Sequence, residues 1–199
     1  MAAKSIGNPG LSAKIDVRPV ASLADQIEAR SGDYLHHCLK TIPSAERHSI
    51  WSRLYAASQS LGQAVRENTV AETVLEIGSN LLGCEEIAIL ELHADYRQIS
   101  FLSSVGVTAT HRHALLTHAE RLSAEINRGQ VRIVDKRVPG DEFLASLGIT
   151  ALVPLSQGHS AEGAIVFFNL LPQRQGFDSG DRELLGLLSV YVGPSLFGL

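Results

Sequence analysis

The chain has 199 residues, 45 % of them hydrophobic, a net charge of −4 and an isoelectric point near 6.0. That length suits one domain with an extension, or two small domains, and the apolar fraction is enough for a sizeable core. The mild acidity excludes a general attraction to nucleic acid or to acidic membrane surfaces, which needs a basic excess.

The first 20 residues mix Gly7, Pro9, Gly10 and Pro19 without a period and read as a loose arm. Ser22 to Thr41 reads as a helix with Leu23, Ile27, Tyr34 and Leu35 as apolar positions, interrupted at Ser31-Gly32-Asp33, and Ile42-Pro43 breaks the chain. This places a boundary between an arm and helix over 1–43 and a domain over 44–199. Ser44 to Arg66 is a second helix. Its Ile50, Trp51, Leu54, Tyr55, Ser58 and Leu61 fall on one stripe at spacings of three and four. Glu67-Asn68-Thr69 turns, and Thr69 with Glu72 has the spacing of a capping box for a helix ended by Gly83.

The period then changes. Ile87 to Leu92 and Ile99 to Val105 read as strands joined by a hairpin at Asp95-Tyr96-Arg97. Thr110 to Asn127 reads as one helix with Leu115, Leu122 and Ile126 inward, and Gly129 stops it. Val131 to Val134 is a short strand, and Glu142 to Leu147 a short helix. Ala151 to Leu155 and Ala164 to Leu171 are strands apolar on both faces, turned at Ser156 to Ser160. Asp178 caps the last helix, with Asp181 in its first turn. Gly193-Pro194 should kink or end that helix, since an interior proline costs about 3 kcal/mol.

Taken together, several of these segments resemble the GAF domain, the small-molecule-sensing relative of the PAS fold. They are Leu75 to Cys84 with Ile87-Ala88-Ile89-Leu90, then Ser103-Ser104-Val105-Gly106, then Asn127 to Val131 with Ile133-Val134-Asp135. Leu147 to Leu155 with Gly163 to Val166, and Phe177 with Asp181, complete the set. The resemblance covers about two thirds of the chain. It implies an α+β fold: a central antiparallel sheet, the N- and C-terminal helices layered on one face, and a lid of short helices and loops on the other. It also implies a pocket between the sheet and Thr108 to Leu147. Phe101, Ser103, His111, Leu115, His118, Arg121 and Phe143 are the candidates to line it, and the same pocket is equally open to being collapsed and filled. Asn169, Phe177 and Asp181 keep half of a signature found in cyclic-nucleotide-binding members, but Leu170 and Arg182 break it.

Catalytic chemistry finds no footing in the motifs. His111 and His118 share a helical face but stand about 10 Å apart along it, and no pair has the spacing of three or four that a helical metal site needs, so no metal is expected. Two distant cysteines, Cys38 and Cys84, read as reduced thiols. Neither falls between Thr108 and Leu147, which argues against bilin attachment and against a thiol-dependent free methionine sulfoxide reductase. No Gly-x-Ser-x-Gly elbow and no phosphate-binding Gly-x-x-x-x-Gly-Lys loop is present. Arg112, Arg121, Arg128, Arg132, Lys136 and Arg137 make a mildly basic region diluted by Glu120, Glu125 and Asp135. It reads as solvated surface, with Arg121 or Arg128 facing an anionic ligand or acidic partner as the alternative.

No cationic start precedes an apolar run, and no run approaches the roughly 20 apolar residues of a spanning helix. The expectation is a cytoplasmic, non-enzymatic sensory or regulatory module, standing alone because only five residues follow Pro194. It would bind a small molecule or a signalling protein, with the cofactor unknown and neither nucleic acid nor membrane as partner. It would form a homodimer through its helices at Trp51, Leu54, Tyr55 and Leu188. The alternative is a scaffold of the same fold that binds no small molecule.

Overall fold

A computed structural model describes residues 29, 32–37, 40, 46–93, 98–157 and 160–198. Among them, strands β1 (Ile87–Leu92), β2 (Ile99–Val105), β3 (Arg132–Ile133), β4 (Ala151–Gln157) and β5 (Ser160–Phe167) form one antiparallel sheet in the order β2-β1-β5-β4-β3. The helices are α1 (Arg47–Glu67), α2 (Val70–Asn80), α3 (Ala109–Thr117), α4 (Ala119–Ile126), α5 (Glu142–Ser146) and α6 (Ser179–Phe197).

Strand side chains alternate between faces, and here both faces are apolar. Ile87 and Ile89 of β1, Ala151, Val153 and Leu155 of β4, and Ile165 and Phe167 of β5 join a core with Leu54, Leu61, Val74, Leu184, Leu188 and Tyr191 of α1, α2 and α6. Ala88, Leu90, Leu92, Leu152, Ala164 and Val166 point the other way, against Leu115, Leu122, Ile126, Phe143 and Leu144 of α3, α4 and α5. A continuous apolar run is what a strand covered on both sides requires. The helical layer and the lid are thus both present.

Several local expectations are corrected. The helix expected over Thr110 to Asn127 is two helices, because His118 leaves helical geometry at φ −108°, ψ 24°. The break re-aims the buried face: α3 buries Leu115 alone, whereas α4 buries Ala119, Leu122, Ser123, Glu125 and Ile126. Thr69 does not cap α2 through its side chain; its φ of −119° and ψ of 28° lie outside the extended capping conformation. The turn is made instead by Asn68 in the left-handed region, its N–H bonded to Ala64 O.

β5 ends at Phe167 rather than Leu171. Beyond it the chain runs irregularly beside residues 83–86, with Phe168 N bonded to Glu86 O, Glu85 N to Asn169 O and Leu171 N to Gly83 O. Helix α6 continues through Pro194 to Phe197. Tertiary packing outweighs the missing N–H: Pro194 is buried, and the neighbouring Gly193 lies so close to Ser156 of β4 that a Cβ there would meet its backbone at 2.6 Å. Asp178 and Asp181 form the reciprocal capping box that starts α6.

Residues 32–37 are helical, including Gly32 and Asp33, which the sequence reading treats as an interruption. Leu35 is buried with the helical-layer core, and Tyr34 donates its hydroxyl to Glu183 O of α6 at 2.9 Å. The expected arm over Met1 to Val20, Leu23, Ile27, Cys38 and the turn residues Asp95 to Arg97 lie outside the described residues.

Candidate functional site

The seven pocket candidates do not converge on one cavity. Leu115 is fully buried and Phe143 is 7 % exposed, both spent on the packing between lid and sheet. Phe101 pairs with Leu90 and faces the lid. Ser103 does not join it. A β-bulge inserts Leu102, so Ser103 comes into register with Ile89, whose side chain belongs to the helical-layer core, and Ser104 pairs with Ala88 on the lid face. Arg112 lies over the Phe101 ring at 4.1 Å and donates to Ser104 Oγ at 3.0 Å. Alternation counted from Phe101 selects the wrong serine because an extra residue is invisible to a period of two.

His111 belongs to a polar clasp at the root of the lid. Its Nδ1 lies 2.7 Å from Glu86 Oε2, and the same carboxylate accepts from Thr108 N at 3.2 Å and from Asn169 Nδ2. The imidazole stacks on Phe168, with centroids 4.4 Å apart and 12° between planes. Its other edge rests on Gly148, where φ is +77° and a Cβ would meet Nε2 at 2.7 Å, so glycine is required for both conformation and space. Glu86 is 7 % exposed. Burial alone would raise its carboxyl, but the hydrogen bonds from His111, Thr108 and Asn169 outweigh that and hold it below its ordinary value. One carboxylate thus joins the chain before β1, the start of α3 and the exit of β5. The sequence reading missed Glu86; a carboxylate immediately before the apolar run Ile87 to Leu90 is the signal that marks it.

His118, Arg121 and Phe143 do meet, on the outside of the lid. His118 sets its edge on the Phe143 ring, centroids 5.9 Å apart at 84°, and the Arg121 guanidinium lies over the ring at 4.0 Å. His118 and Arg121 border an open cleft of about 380 Å³ lined by Thr117, His118, Glu120, Arg121 and Ala124. Elsewhere on the lid Arg132 ties the carboxylates of Glu125 and Asp141 together, fastening α4, β3 and the start of α5. Between lid and sheet, the space is filled by side chains with no exposure: Leu115, Leu122, Ile126 and Leu144 from the lid, and Leu90, Leu152, Val166 and Phe168 from the sheet and its exit.

Asn169 and Asp181, two members of the partial nucleotide signature, have internal tasks. Asn169 serves Glu86. Asp181, with no exposure, is held by Arg53 of α1 and Arg174, and accepts from Asp178 N at 2.8 Å. Cys84 is buried beside this group, and burial, offset in part by Arg174, pushes its thiol up to about 12. A thiol held in that form is a poor nucleophile.

The four residues expected at a dimer interface divide in pairs. Leu54 and Leu188 have no exposed surface and belong to the chain's own core, so their side chains are corrected from interface to interior. Trp51 is half-buried, and Tyr55 is 52 % exposed with its ring stacked on Trp51 at 6.5 Å. A stripe with a spacing of three and four specifies an apolar face without saying which part of it this chain covers. Among the described residues no helix is long and apolar enough to cross a membrane.

No protein-family model matches the chain, and no curated protein matches it. Solved structures are similar to it in fold. Residues 122 to 287 of a methyl-accepting chemotaxis protein share 16 % identity at a TM-score of 0.50, over 70 % of this chain and 94 % of that one. The GAF domain of a sensor histidine kinase from Pseudomonas syringae pv. tomato shares 19 % identity at a TM-score of 0.49, over 78 % and 91 %. The GAF/HD protein from Geobacter sulfurreducens shares 14 % at 0.43, over 69 % and 99 %. The architecture is the α+β fold that the resemblance to GAF domains implies, with its antiparallel sheet between a layer of terminal helices and a lid. At these identities the likeness is one of fold.

Proposed function

We propose that the chain is a regulatory module of signal transduction that acts through contacts between protein surfaces, its lid packed down on the sheet. The observation that carries this reading is the contrast between two faces. The space beneath the lid is occupied by fully buried leucine, isoleucine, valine and phenylalanine side chains, whereas α1 leaves the Trp51–Tyr55 pair open to solvent. A guest site is a concave space with a few converging polar groups; here Glu86, Thr108, His111 and Asn169 bond to each other, as do Arg132, Glu125 and Asp141. The signalling context draws support from the chemotaxis protein that shares the fold.

In this reading two copies associate through the outward side of α1, with Tyr55 and the exposed edge of Trp51 at the contact. Light scattering at micromolar concentration tests it. The expected result is a dimer that Tyr55→Glu converts to monomer with the fold intact, and a wild-type monomer rejects it. Native mass spectrometry of the same sample tests the lid: no guest is expected beneath it, and a guest of defined mass retained by the wild type and by Arg121→Gln alike would return that space to ligand sensing.

A further inference from the structure

Arg121 stands apart from the other arginines of the lid. Arg128 and Arg132 are paired with Glu125, Arg132 also with Asp141, and Arg137 with Asp135. Arg121 has no carboxylate or hydrogen-bond acceptor among the described residues; its one recorded partner is the face of Phe143. That stacking fixes the plane of the guanidinium and leaves its N–H edges for an outside acceptor. The same ring holds His118, whose ring nitrogens also lack a partner among the described residues. Phe143 is anchored in turn, 7 % exposed in the lid core. Two polar groups are therefore oriented by one buried aromatic at the rim of a cleft of about 380 Å³, with the Thr117 hydroxyl beside them.

The planar fork of a guanidinium matches a carboxylate in two parallel hydrogen bonds. Glu120 lines the same cleft, and its negative charge opposes a dianion more than a monoanion. Ala124 supplies apolar wall beside the charged groups. We propose that the cleft between Thr117 and Ala124 is a binding site for a small monocarboxylate with a short apolar tail, its carboxylate on Arg121 and His118. The site lies outside the filled space beneath the lid and does not involve α1. A monomeric chain would leave it untouched, and loss of the site would leave the α1 contact untouched.

The test is an NMR titration of the full chain, labelled at the arginine Nε and histidine ring nitrogens, with sodium butyrate, inorganic phosphate and a capped tri-glutamate peptide. Butyrate is expected to shift the Arg121 and His118 signals along a saturating curve. Arg121→Gln should weaken that binding at least tenfold, and Arg121→Lys should restore little of it. Phosphate should bind at least tenfold more weakly than butyrate and recover in Glu120→Gln. Arg121 and Glu120 are exposed, so these variants are expected to keep the wild-type melting temperature. Shifts that stay linear, or that persist in Arg121→Gln, would overturn the site. Phosphate binding more tightly than butyrate would overturn the ligand class, and saturable binding of the peptide at lower concentration than butyrate would overturn the small-molecule assignment in favour of a protein partner.

Discussion

A carboxylate with 7 % of its surface exposed loses most of its hydration, and Glu86 replaces it with three hydrogen bonds, two from the start of α3 and one from Asn169 beyond β5. Because these lower its pKa below the ordinary 4.5, the unfolded chain takes up the proton first on acidification. The stability Glu86 contributes is complete above that unfolded value and is lost as pH falls through the lower folded one. Glu86→Gln keeps one acceptor oxygen, for Thr108 N or for Asn169 Nδ2 but not both, and removes the charge. It is expected to cost about 1 kcal/mol at neutral pH and to flatten the fall in stability below about pH 4.5, both read from urea unfolding across pH. Asp181 poses the harsher case. Asp181→Ala leaves the partly buried Arg53 and Arg174 without their shared counter-charge and removes half of the α6 capping box. A loss of about 3 kcal/mol is expected from the same measurement.

Helix α6 is held against the sheet by a glycine. With Gly193 facing the Ser156 backbone at a distance no real Cβ tolerates, Gly193→Ala must push the helix off β4. A cost of about 2 kcal/mol is expected, with faster amide exchange concentrated in β4 and α6. Pro154 fits the same layout. β3 pairs only with Ala151 and Leu152, so β4 has become an edge by Pro154, where a residue without an N–H is tolerated. Its carbonyl instead accepts from Ser189 Oγ of α6 at 3.0 Å. The lid helices answer to tertiary packing too. A single helix from Thr110 to Asn127 would hold one buried stripe; the break at His118 gives α3 and α4 different ones, and it brings His118 and Arg121 onto the same ring.

Across the molecule, one sheet carries two apolar layers back to back, so neither face can open without exposing the other side's strands. Unfolding is expected to be a single transition, and Cys84 reports it. Buried to 2 % exposure with its thiol pushed up to about 12, it should resist a thiol reagent in a Cys38→Ser variant until global unfolding. The rate should then follow the urea dependence of stability; fast modification under native conditions would contradict the packing described.

Alternating or continuous apolar runs were enough to place β1, β2 and β4, the two helices flanking the domain, and the two-sided burial of the sheet, because those features depend on local period and total apolar content. The Asp178–Asp181 cap was legible for the same reason, being a contact between neighbours in sequence. What the sequence could not carry was every feature set by distant partners: the bulge that turns Ser103 away from Phe101, the Glu86 clasp built from residues up to 83 positions apart, and the burial of Leu54 and Leu188 inside the chain's own core. Local chemistry decides which residues need covering. Only the folded chain decides what covers them, because that choice is made by shape and hydrogen-bond geometry among segments the sequence does not bring together.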